Sequence, residues 1–171
     1  GNIFLDLCTG SGCILVSLLH YAKGTFGTGA DLSGKALSVA KGNVEANGVE
    51  ARLVQGDLFE PVTGTFDLIV SNPPYIASAE IETLAPEVRE HEPRMALDGT
   101  ADGLFFYRRI VQESPSYLKE GGWLCMEIGY DQGAAVRQLM EARGFATVSV
   151  IKDLAGLDRV VSGCYRRNRN V

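Results

Sequence analysis

At 171 residues the chain is the size of one ordinary domain, with enough core to fold without disulfide or metal staples. Its 46% hydrophobic and 22% charged residues exclude disorder, and no apolar run approaches the roughly 20 residues that span a bilayer. A net charge of −5 lacks the basic footprint of a non-specific nucleic-acid binder. In chain order, 3–7 reads as a short buried strand ending in a glycine-rich turn. Residues 12–22 carry Ile14, Leu15, Leu18 and Leu19 at helical spacing. A weaker strand follows at 25–31, then a helix capped by Ser33, with Leu37, Ala40 and Val44 on one face, stopping at Asn47-Gly48. Strands are expected at 51–55 and 66–71, the latter flanked by Gly64 and Pro73-Pro74. A helix at 104–118 should end or bend early at Pro115, and Gly121-Gly122 opens a fifth strand at 123–128. A helix over 132–142 closes at Gly144, and two late strands occupy 147–151 and 160–165.

Strands alternating with helices predict a Rossmann-like α/β fold: about seven strands, mostly parallel, with helices on both faces. The last two strands lack a helix between them, so one of them should run antiparallel. The stretch 76–102 is expected to be irregular and to form a surface lid over the carboxyl ends of the strands. Residues 166–171 are expected to fray.

Four cysteines, Cys8, Cys13, Cys125 and Cys164, show no C-x-x-C spacing, and His20 and His91 stand apart. A metal centre is not expected, and unpaired thiols point to the cytoplasm. Cys125 and Cys164 read as buried thiols, Trp123 as core and His20 as a surface residue. No charged leader precedes an apolar run, so no signal peptide is read.

The first chemistry-bearing motif is Asp6-Leu7-Cys8-Thr9-Gly10-Ser11-Gly12, between strand one and helix one. Ligands of open α/β sheets bind outside the carboxyl ends of the strands, and Gly10 and Gly12 permit close backbone approach. No phosphate loop is present, and Asp6 would repel a pyrophosphate while suiting an ammonium group. Asp31, ending strand two, can accept hydrogen bonds from ribose hydroxyls. Asp57, after strand three, stands beside Leu58 as one polar contact against a flat apolar slot for adenine. Singly, each is an ordinary cap or turn acid. Three acids ending three successive strands describe a pocket for a cationic nucleoside, and S-adenosyl-L-methionine fits.

Ser71-Asn72-Pro73-Pro74-Tyr75 follows strand four directly. The prolines stiffen the backbone and leave carbonyls free as acceptors, the Asn72 side-chain oxygen adds another, and Tyr75 offers an aromatic face. Converging acceptors of this kind can hold an NH₂ group conjugated to a carbonyl or a ring.

Together these residues resemble the class I S-adenosylmethionine-dependent methyltransferases that carry an N-P-P-Y motif. Within them the chain looks most like the HemK/PrmC family, the protein-(glutamine-N5) methyltransferases of peptide chain release factors. That closer likeness rests on Glu92-Pro93-Arg94 with Ala96-Leu97, on Asp102-Gly103-Leu104 leading to Tyr107, and on Glu127-Ile128-Gly129 followed by Gln132-Gly133. The resemblance implies methyl transfer to the glutamine of a release factor's Gly-Gly-Gln loop, leaving S-adenosyl-L-homocysteine. It implies that Cys8, Thr9, Gly10, Ser11 and Gly12 line the methionine part of the cofactor, with Asp6 also binding the cofactor. Asp31 would take the ribose, and Asp57 and Leu58 the adenine. Asn72 would touch both cofactor and substrate, and Asn72, Pro73, Pro74 and Tyr75 would hold the glutamine amide, with Asn72, Pro73 and Tyr75 catalytic. Cys8 stands where the wider superfamily usually has glycine, which implies a turn that needs no glycine-only conformation. Residues 1–171 would form a single catalytic domain, without the N-terminal helical docking domain usual in the family. Glu92 and Arg94 read as substrate contacts or a lid ion pair. Glu127 reads as holding a loop or merely ending its strand. The alternative is an amino-group methyltransferase acting on adenine or guanine, for which the acidic charge is a poor match.

Overall fold

The computed structural model describes residues 1–91 and 93–167, with the side chains of 89–91 excepted. Glu92, one of the residues carrying the family resemblance, and tail residues 168–171 lie outside the described residues. The strands are β1 (Ile3–Leu7), β2 (Phe26–Asp31), β3 (Ala51–Gln55), β4 (Phe66–Ser71), β5 (Leu118–Glu127), β6 (Ala146–Lys152) and β7 (Asp158–Cys164). They form one sheet in the order β3-β2-β1-β4-β5-β7-β6. All pairings are parallel except those of β7, which runs antiparallel to both β5 and β6. The expected seven-stranded α/β sheet with one antiparallel strand is therefore present.

Two helices cover one face. Helix α1 (Cys13–Tyr21) buries Leu15, Val16 and Leu19, and α2 (Gly34–Ala46) buries Ala40 and Val44. Leu15, Val16, Leu19 and Val44 cluster with Phe4 of β1. Ser33 caps α2 as expected, its hydroxyl accepting from the Ala36 N–H at 3.1 Å. The opposite face is packed by α6 (Phe105–Glu113) and α7 (Gly133–Ala142). Tyr107, Ile110 and Val111 of α6, and Val136 and Met140 of α7, recur at helical spacing and join Leu5, Leu7, Ile69, Leu124 and Met126 in the larger core. β1 is buried on both faces over Phe4–Leu7, as a central parallel strand must be.

Helix α6 stops at Glu113, the early end expected from Pro115, which turns the chain into a 3₁₀ turn at Ser114–Ser116. Other expectations need correction. Strand β5 begins at Leu118 rather than at residue 123: its pairing steps from Phe66–Leu118 to Leu68–Trp123, looping out 119–122 around Gly121. Trp123 is not core but 38% exposed, because alternation along β5 sends Leu124, Met126 and Ile128 under α6 and α7 and turns Trp123 away. Cys125 shares that outward side and is half-buried.

The stretch 76–102 is not irregular. It holds three short helices, α3 (Ser78–Ile81), α4 (Pro86–His91) and α5 (Arg94–Leu97), and a parallel bridge from Ile76 to Asp98. Arg94 pairs with Glu82 and with Asp98, an ion-pair network within this segment. At the other end, Arg167 donates its N–H to the Glu120 carboxylate at 2.8 Å.

Candidate active site

The chain runs β1 to β2 to β3 in one direction along the sheet, then crosses to β4 on the other side of β1. Outside the carboxyl ends of β1 and β4 the connections diverge, and a cleft opens at this switch point. The turn after β1 forms one wall, and the segment after β4 forms the other.

Cys8 takes a left-handed backbone, φ 57°, a conformation that favours glycine but is not confined to it. A side chain is accommodated there because φ 57° falls in the small left-handed region open to L-residues at a cost. Gly12 (φ 79°) starts α1, and a Cβ on it would come within 3.2 Å of the Ala40 Cβ. The turn is laced to the end of β2. The Thr9 N–H donates to the Ala30 carbonyl, and the Gly10 and Ser33 N–H groups donate to the two oxygens of Asp31 at 2.8 and 2.9 Å.

Asp6 lies beneath the turn and is 1% exposed. Its Oδ2 accepts from the Thr9 hydroxyl at 2.7 Å and from the Leu15 N–H at 3.2 Å, while Oδ1 has no partner among the described residues. Burial pushes its carboxyl up to about 7, against the lowering effect of Thr9 and Leu15. Burial also pushes the Cys8 thiol up to about 12, and the Asp31 carboxylate adds to it. Cys8 is a neutral wall residue, not a nucleophile.

Two cavities, each of about 340 Å³, meet at this point. Asp31, Leu32, Asp57, Leu58, Pro74 and Phe106 line the first. Thr9, Ser11, Cys13, Ile14, Tyr75 and Ile76 line the second. Cys8, Gly10, Asn72 and Ala96 stand on the walls of both. Segment 93–97 closes over them, contributing Pro93, Met95 and Ala96 to the first and Ala96 and Leu97 to the second, in the position expected of a lid.

The structure thus brings Cys8, Thr9, Gly10, Ser11, Asp31, Asp57, Leu58, Asn72, Pro74 and Tyr75 to the cavity walls. Asp6, Gly12 and Pro73 are buried behind them. Asn72 is exposed at the seam, and among the described residues its side chain and the Pro73 carbonyl have no hydrogen-bond partner. Ser71, by contrast, is committed, its hydroxyl donating to the Leu7 carbonyl at 2.8 Å and tying β4 to β1.

Sequence reasoning missed two contributors from α6. Arg109 reaches the Asp57 carboxylate with 2.9 Å contacts to both oxygens, and Phe106 adds an aromatic wall. The signal was their spacing of three on one helix, which places them on the same side. Glu127 ends β5, and its carbonyl accepts from the buried Tyr107 hydroxyl at 2.7 Å.

Residues 1–90 match the family model described as methyltransferase small domain. A protein of Geobacter sulfurreducens named release factor glutamine methyltransferase is 48% identical over 93% of this chain and 56% of its own length. One of Cereibacter sphaeroides with the same name is 51% identical over 92% of this chain and 58% of its own. The chain therefore spans little more than half the length of these curated relatives. Among solved structures, a methyltransferase from Pyrococcus furiosus superposes with a TM-score of 0.74 at 19% identity, covering 98% of this chain and 76% of that one. A 16S rRNA N2 G1207 methyltransferase of Thermus thermophilus, solved with AdoMet and guanosine, gives 0.67 at 20% identity, over 97% of this chain and 38% of that one. At such identities the likeness is one of fold.

Proposed function

The chain belongs to the methyltransferase small-domain family, and on that premise we propose that it moves a methyl group from S-adenosylmethionine to the side-chain amide nitrogen of a glutamine in the Gly-Gly-Gln loop of a peptide chain release factor. The named relatives supply the substrate class. The observation that carries the chemistry is the uncommitted Asn72 side chain, exposed where the two cavities meet.

The residues present suit the cofactor. A Cβ on Gly10 would meet nothing within 4 Å, so the turn leaves room for a ligand against its backbone. Asp31 and Asp57 each keep acceptor capacity beyond their present bonds, enough for ribose hydroxyls and an adenine amino group. Leu58, Phe106 and Met95 offer apolar walls for the base. The buried Oδ1 of Asp6 keeps a free acceptor behind the turn, and a cationic ligand bound nearby would favour its carboxylate form.

When bound, S-adenosylmethionine supplies an electrophilic methyl group on a sulfonium. An amide nitrogen is a weak nucleophile because its lone pair is shared with the carbonyl. The Asn72 oxygen and the Pro73 carbonyl would accept from its two N–H bonds, orienting the nitrogen and favouring a less conjugated geometry. Tyr75 would give the planar amide a face to rest on. Acceptors aimed at N–H groups grow in value as positive charge develops on nitrogen. Positioning of this kind supplies about 7–11 kcal/mol in favourable cases. The proton leaves after transfer, so no general base is assigned. We place the reaction in the cytoplasm, where the four free thiols would stay reduced.

The test is incubation with radiolabelled S-adenosylmethionine, a purified release factor and, separately, total RNA. Label on the factor that disappears when its Gly-Gly-Gln glutamine is replaced supports the reading. Label on RNA alone overturns it in favour of a nucleobase amino group. In the same assay Asn72→Ala should lower turnover by at least about a hundred-fold while cofactor binding is partly retained. Unchanged turnover in that variant would remove Asn72 from the mechanism.

A further inference from the structure

The carbonyl of Tyr75, at the end of the acceptor motif, is held by a side chain from a distant element. Gln132 begins α7: its main-chain carbonyl accepts from the Val136 N–H, the first bond of the helix. Its side chain turns back toward β4. Nε2 donates to the Tyr75 carbonyl at 2.8 Å and makes a longer contact of 3.4 Å with the Gly103 carbonyl. Oε1 accepts from the Gly129 N–H at 2.8 Å. The partners fix the amide's orientation, since two carbonyls require the NH₂ end and an N–H requires the oxygen.

The surrounding backbone is shaped to this contact. Gly103 has φ 74°, and a Cβ there would lie 2.4 Å from the Tyr75 oxygen and 2.9 Å from Gln132 Nε2. One residue further on, the Ile76 N–H donates to the Leu97 carbonyl and the Gly99 N–H to the Ile76 carbonyl. The segment leaving the acceptor motif is thus gripped from two directions, by the lid through its backbone and by Gln132 through its amide. Gln132 lies on the wall of neither active-site cavity; Tyr75 and Asn72 do.

We propose that Gln132 is a positioning residue for methyl transfer: its amide sets the place of the Tyr75 carbonyl, and with it the aromatic wall and the Asn72 acceptor that would receive the glutamine amide. The inference deepens the function proposed above and rests on it.

The experiment uses Gln132→Met, which keeps the length and loses both hydrogen-bonding ends. Expected is a fall in kcat of about ten- to hundred-fold, the scale set by small misplacements around a reacting centre. The dissociation constant for S-adenosylmethionine, by calorimetry, should stay within about two-fold, because no wall of the nucleoside cavity changes. A kcat equal to that of the unaltered chain overturns the proposal, as does a loss of cofactor affinity matching the loss of kcat. Gln132→Glu is the second variant. An ionised carboxylate repels the two carbonyls, whereas a protonated one donates to Tyr75 while still accepting from Gly129. Its activity relative to the unaltered chain should therefore rise as pH falls, and a flat ratio counts against the assignment. If the unaltered chain methylates no glutamine, the function fails and not the positioning contact. Hydrogen exchange then decides: the Ile76 amide should exchange faster in Gln132→Met while β4 amides keep their protection, and equal Ile76 rates overturn the proposal.

Discussion

Asp6 keeps an unpartnered carboxylate oxygen under the turn that carries the site. Burial raises its carboxyl from 3.8 to about 7. The native state thus binds a proton that the unfolded chain releases near pH 4. Stability contributed by this group is complete below that point and is lost as pH rises through about 7. Asp6→Asn, which cannot ionise, should flatten this decline, measurable as denaturation midpoints across pH 4–8. The neighbouring Cys8 carries backbone strain. Because φ 57° favours glycine, Cys8→Gly should exceed Cys8→Ala in stability by about 1–2 kcal/mol in chemical denaturation. Neither the burial of Asp6 nor the turn conformation was legible in the sequence. An acid closing a strand looks alike whether it faces a ligand or the underside of a helix.

At the level of elements, α6 has three duties. It packs Ile110 and Val111 into the core, reaches Asp57 with Arg109, and ties down the end of β5 through the Tyr107 hydroxyl. Tyr107→Phe would leave the Glu127 carbonyl without that donor and should cost about 1–3 kcal/mol of unfolding free energy. The alternation of helices and strands was legible because apolar periodicity and glycine or proline breaks are local signals. The Asp57–Arg109 and Tyr75–Gln132 contacts were not, since they join residues 52 and 57 positions apart. Trp123 was misjudged for a related reason: a period of two separates the faces of a strand without telling which one is covered.

For the molecule as a whole, the crossing from β3 to β4 puts the two halves of the site on opposite sides of one cleft. Asp31, Asp57 and Asn72 line that cleft, and Asp6 and Pro73 lie directly behind it, so the nearness of these residues to one another was legible even where individual contacts were not. The chain's charge of −5 argues that RNA is not held through its phosphates. Fluorescence anisotropy with total RNA should find weak binding and a shallow dependence on salt. A steep slope would point to a basic surface and favour the nucleobase reading.

The order β5-β7-β6 has a consequence for how the chain is made. Synthesis delivers β6 before β7, yet among the described residues β6 pairs with no strand but β7. A growing chain that has reached Lys152 therefore carries a strand with nowhere to dock and leaves the flank of β5 open. Only when Asp158–Cys164 follows and slides between them do β5 and β6 join one sheet. Until then the nascent protein exposes two unpaired strand edges, the feature that invites pairing with other chains. Chains truncated just after Lys152 should accordingly aggregate soon after release, a vulnerability that ends once β7 is paired.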